Sequence, residues 1–178
     1  MKKLKPLFCA LLCAISISSY AFQDGDYVLV SYTNNGTTHY LSSKSTTNSG
    51  KTSYSLTDKT TPDAYSVWKV TESSTEGRYK FYNVVTERYL YGSDGGTISL
   101  NTSSTSWRFG NNVSNNLSTM YYKYDDGDKT GYVRYSSGSW VRGNTQSLTY
   151  TVLTPTERAY YKDLTREEPV LERTEMSI

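Results

Sequence analysis

The apolar and polar positions of this chain alternate in short blocks. Tyr, Phe, Val, Leu and Ile gather in runs of four to seven residues, and Gly, Asp, Asn, Ser and Thr separate the runs. Runs of that kind predict strands and hairpins. No window carries the three-and-four apolar spacing of a long amphipathic helix. The clearest passage is residues 78–109, where YKFYNVV, RYLY, TISL and SWRF are joined by TE, GSDGG and NTSST. The same order occurs earlier as YVLVSY (27–32), HYLS (39–42), TSYSL (52–56) and VWKV (67–70). It occurs again later as MYYKY (120–124), YVRY (132–135), SWVRG (139–143) and LTYTVL (148–153). The pattern predicts three four-strand repeats, about residues 22–74, 75–116 and 117–155. Their openings at Tyr27, Tyr79 and Tyr121 are 52 and 42 residues apart.

No single four-strand unit can bury its apolar face alone, so three of them are expected to close on one another and so remove open sheet edges. Residues 22–155 resemble a β-trefoil, and most nearly the ricin B-type lectins. The resemblance rests on a repeated Tyr-Leu or Tyr-Val step (Tyr40-Leu41, Tyr89-Leu90, Tyr132-Val133) and an aromatic in each fourth strand (Trp68, Trp107, Tyr150). It implies an all-β fold with those positions lining a core near a threefold axis. The family's sugar-contacting positions, carried over, do not keep their residue types. The Asp position falls on Ser42, Tyr91 and Arg134, the stacking position on Thr57, Asn101 and Arg142, and the Gln position on Ser66, Thr105 and Leu148. The family's galactose pattern is therefore not retained.

The formal charge of +2 shifts once the N-terminus is set apart. Residues 1–21 combine Lys2, Lys3 and Lys5, the apolar run LFCALLCAI and a small-residue end, which reads as a cleaved secretory signal peptide. Its apolar centre is too short for a permanent span. Without it the chain has 16 basic and 17 acidic residues. That near-neutral balance gives no electrostatic reason to expect nucleic acid or an anionic membrane as partner. Cys9 and Cys13 both lie in the leader, so the mature chain is expected to lack disulfides and thiolate metal sites. Phe8 and Leu12, preceding them, do not suit a lipoprotein signal. A secreted or periplasmic protein of bacterial type is expected. Residues 156–178 change character: they are charged, lack a repeat partner and contain Pro169, and they read as a flexible or weakly docked tail or linker.

The residue types of a catalytic set are sparse. His39 is the only histidine and by alternation belongs at the surface; no nucleophile-elbow sequence accompanies it. No spacing resembles a zinc site. Asp125-Asp126-Gly127-Asp128 reads as a hairpin turn and not as a calcium loop. The acids Asp58, Asp63, Glu87 and Asp94 fall in or beside predicted turns, with nothing to pair them across a sugar as a glycosidase requires. No cofactor or metal is expected.

The 18 tyrosines, only Tyr20 of them in the leader, exceed what a small core requires, so several are expected to be exposed. A flat apolar face with a polar tip suits sugars and protein interfaces alike. The expectation is a non-catalytic ligand-binding module with a glycan or polysaccharide as leading ligand. Its candidate residues are Tyr91, Asp94 and Asn101 in the second repeat and Asp126, Arg134, Trp140 and Asn144 in the third, with Trp140 as stacking platform. The alternatives are a protein-binding adhesion module, or an inhibitor presenting the long connection of residues 43–53 to a protease.

Overall fold

The computed structural model describes residues 22–110 and 118–163, and residues 1–21, 111–117 and 164–178 lie outside them. The described chain is all-β apart from one helical turn and one short helix. Its strands are β1 (Tyr27–Asn34), β2 (Thr37–Asn48), β3 (Lys51–Lys59), β4 (Trp68–Glu72), β5 (Tyr79–Asn83), β6 (Arg88–Gly92), β7 (Ile98–Asn101), β8 (Arg108–Phe109), β9 (Met120–Tyr124), β10 (Lys129–Ser136), β11 (Ser139–Gly143) and β12 (Thr149–Val152). The helix α1 is Pro155–Asp163.

One sheet runs β3-β2-β1-β4-β5-β6-β7 with β12 also on β1, and a second runs β11-β10-β9-β8. Two seams join them. Tyr79 and Trp107 exchange backbone hydrogen bonds of 3.0 and 2.8 Å, and the Leu148 amide donates to the Ser118 carbonyl at 2.8 Å. The strands β1, β4, β5, β8, β9 and β12 thus follow one another round a nearly closed, barrel-like sheet. The hairpins β2–β3, β6–β7 and β10–β11 extend from it.

The barrel is filled by one cluster that includes Val30, Leu41, Val70, Phe81, Leu90, Met120 and Val133, all without solvent exposure. Leu41, Leu90 and Val133 follow the three repeated tyrosines. Phe22 lies edge-on to Tyr79, Phe81, Phe109 and Tyr150, with ring centroids 5.3–5.8 Å apart. Edge-to-face contacts of this kind add to the burial of each ring.

The three fourth-strand aromatics, Trp68, Trp107 and Tyr150, all pack on the core, but not in the same way. The Trp68 and Trp107 indoles donate to the Leu41 and Leu90 carbonyls at 2.8 and 3.1 Å. In the third repeat that interior place belongs to Leu148, which is buried, while Tyr150 joins Phe109 in the aromatic cluster. The Leu148 side chain carries no donor, and its backbone amide is the one that bonds Ser118.

The connection of residues 43–53 is not a loop. Strands β2 and β3 stay paired as far as Asn48↔Lys51, and Ser49 and Gly50 turn the chain with φ of 49° and 76°. Two positive φ values fit the tight turns that match strand twist. Thr46, Thr47 and Thr52 favour extended backbone without needing a buried face, and the result is an exposed two-stranded arm in place of an inhibitor-type loop.

The expected tail begins with a short helix, α1, that packs on the barrel through Tyr161; residues 164–178 of it lie outside the described residues. Thr154 caps the helix. Its amide and hydroxyl both donate to the Glu157 carboxylate at 2.8 Å, and the Glu157 amide donates back to the Thr154 hydroxyl at 3.3 Å. With Pro155 at the first helical position this is a capping box. Tyr161 packs on Leu29, Val67 and Leu153.

Candidate binding face

The polar and aromatic groups of the second and third repeats meet over Tyr122. This side chain is 1% exposed, and its ring lies between two glycines of neighbouring hairpins. A Cβ on Gly92 of β6 would come within 2.4 Å of the ring, and one on Gly131 of β10 within 2.6 Å. Only residues without side chains leave room for it there. The hydroxyl donates to the Ser93 and Thr97 carbonyls, both at 3.3 Å. Burial pushes its pKa up to about 12, against the opposing pull of Arg142 and with help from Tyr124, Asp94 and Tyr91.

Around Tyr122 the surface opens. The Arg142 guanidinium lies 5.5 Å from the Tyr124 ring centroid and donates to its hydroxyl at 3.3 Å. Gly96, with φ of 80°, lets both approach: a Cβ there would meet the Tyr124 ring at 2.9 Å and Arg142 Nε at 3.1 Å. Asp94 is exposed in the turn between β6 and β7, and Arg142 is exposed on β11. Neither makes an ion pair among the described residues. The Asp94 carboxylate, the Arg142 guanidinium held on Tyr124, and two half-exposed tyrosines, Tyr91 and Tyr124, are thus gathered around Tyr122.

No family model matches the chain, and no curated protein is similar to it.

Of the residues singled out in the sequence, Tyr91 and Asp94 belong to this face. Asn101 lies at the end of β7, where its side chain accepts from the Ser103 amide at 3.1 Å and holds a local turn. Asp126 is exposed in the β9–β10 turn with φ of 51°, next to an Asp125–Lys129 ion pair of 2.7 Å. Among the described residues no group of three His, Cys, Asp or Glu converges there or elsewhere. Arg134 packs along Gly143, and its Nε is buried without a partner. Asn144 is exposed beyond β11. Trp140 is the clear correction, because it is 4% exposed and belongs to the core, so it offers no face for stacking. Nor are the tyrosines widely exposed. Most are half-buried by cross-strand partners, as Tyr82 is by Tyr89 at 4.9 Å, while Tyr160 alone among those described is largely exposed.

Two groups were not legible as sites. Arg142 stood only at the family's stacking position, and nothing in sequence placed it over Tyr124. The other is His39, which is partly buried, with 13% of its side chain exposed. Its Nδ1 is 2.7 Å from Asp58 Oδ2, and its ring stacks on Tyr135 at 4.1 Å. Asp58 lies within β3, not at a turn, and its Oδ1 is buried without a partner. Strand β3 is longer than its apolar run, and that extra length carries Asp58 to His39. His39 Nε2 makes no hydrogen bond to a serine among the described residues.

Proposed function

We propose that this chain is a secreted, non-catalytic glycan-binding module with a β-trefoil scaffold related to the ricin B-type lectins. The observation that carries the reading is the Asp94 carboxylate and the Arg142 guanidinium, neither in an ion pair among the described residues, near Tyr91 and Tyr124. Adjacent sugar hydroxyls both donate and accept, so a carboxylate and a guanidinium can hold the two together. A tyrosine face covers the apolar C–H surface of the ring. The strand order supports the scaffold: each repeat contributes two strands to the barrel and one hairpin outside it. Gln146 adds to it. It precedes Leu148 by two residues, as the family's Gln precedes its Trp, and bonds the Tyr135 amide and carbonyl at 2.7 and 3.2 Å. The leader-like residues 1–21 support export.

A glycan and polysaccharide screen tests the reading. Binding to at least one sugar class is expected, with loss in Arg142→Ala and Asp94→Asn at unchanged unfolding midpoint. A blank screen, or binding that both variants retain, removes it. The adhesion-module alternative has its own support. Beyond Leu41, strand β2 pairs only with β3, leaving exposed backbone edges on the arm that a protein partner could extend.

A further inference from the structure

The helix α1 does not lie flush on the barrel. Between them is a cavity of about 690 Å3, within the range of small-molecule sites. Its walls are mostly apolar: Val67, Val84 and Val85 on the barrel side, Ala159 on the helix and Tyr27 beneath. Val84 is 42% exposed in the turn after β5, a place where a polar residue is usual. The ionised side chains lining the cavity, Arg158 and Lys162, are both cations. The Arg158 guanidinium is held 4.5 Å from the Tyr27 ring centroid and makes no ion pair among the described residues. The nearby helix acid, Glu157, is bound up in the Thr154 cap.

We propose that this groove binds a small amphiphilic carboxylate, with its apolar tail against Val67, Val84 and Val85 and its carboxylate on Arg158. A guanidinium is always charged, weakly hydrated and shaped for two-point contact with a carboxylate. Stacking on Tyr27 orients it before the ligand arrives, and the valines reward burial of a hydrocarbon chain. This site lies apart from the Asp94 and Arg142 face and does not depend on it.

Calorimetric titration of the full chain with decanoate tests the proposal, with decanol and decylamine as controls. One saturable site for decanoate is expected, with decanol at least tenfold weaker and decylamine silent. Arg158→Gln should weaken decanoate at least tenfold, and so should Val84→Asp, a change at an exposed position that leaves the fold intact by its unfolding midpoint. The absence of saturable heat would overturn the proposal, as would equal binding of decanol or full affinity in Arg158→Gln. Binding that appears only when Val170 and Leu171 are both changed to Asp would overturn it too, by assigning the groove to the chain's own C-terminal segment.

Discussion

The Trp140 indole nitrogen donates a hydrogen bond of 3.2 Å to the carbonyl of Tyr40, 100 positions earlier in the chain. It ties the third hairpin to the first. Trp140→Ala removes a buried ring and one of the two side-chain donors to the Tyr40 carbonyl, the other being the Ser42 hydroxyl at 3.1 Å, and should destabilise the fold by about 3–5 kcal/mol. Trp140→Phe should recover most of that, losing about 1 kcal/mol for the bond. Urea unfolding measures both. Because the ring is buried, Trp140→Phe should also bind any glycan ligand as the unaltered protein does.

The all-β, barrel-like character was legible because short apolar runs alternate with turn residues along the chain. Leu41, Leu90 and Val133 could be placed inside from their position after a tyrosine. What failed to read was local. Residues 43–53 carry no apolar alternation, since an arm paired on itself buries nothing, so a strand pair looked like a loop. The cap of α1 was present as Thr154-Pro155-Thr156-Glu157, but the charged composition beyond it masked the signal. The candidate face was half legible: Asp94 and Tyr91 are close in sequence, whereas Arg142 comes near them through the packing of Tyr122 between two glycines.

That packing makes a sharp prediction. Gly92→Ala places a methyl group inside the Tyr122 ring, so strands β6 and β9 must separate or the ring must leave. Overpacking of this kind typically costs about 1–3 kcal/mol. The double variant Gly92→Ala with Tyr122→Leu should lose less than the sum of the two single losses, as residues in direct contact do. Strict additivity in chemical denaturation would show that the two do not touch.

Alkaline pH should act through the same tyrosine. Its folded pKa of about 12 lies above the ordinary value of 10.0, because burial disfavours the phenolate. Unfolding therefore releases a proton at high pH. The stability linked to Tyr122 is complete below pH 10 and declines as the pH rises through 10 toward 12. Tyr150, also raised by burial, adds to the same slope. Tyr122→Phe should flatten the fall in urea midpoint over that interval while lowering the midpoint at neutral pH through its lost hydrogen bonds. An unchanged alkaline slope would show that the hydroxyl is already ionisable in the folded protein.

The cap of α1 should behave differently from these core contacts. A nine-residue helix is marginal by itself, and this one persists through the Thr154–Glu157 box and the burial of Tyr161. Thr154→Ala removes the hydroxyl that accepts the Glu157 amide and should cost the helix about 1 kcal/mol. Little of the barrel depends on α1, so the loss should appear as local opening, with faster amide exchange at Ala159 and Tyr161 and a nearly constant exchange rate at Val30 and Phe81. Glu157→Gln keeps an acceptor and should lie between the two. If Thr154→Ala instead speeds exchange throughout the barrel, the helix is part of the cooperative unit, and the packing of Tyr161 on Leu29 and Val67 would be what joins them.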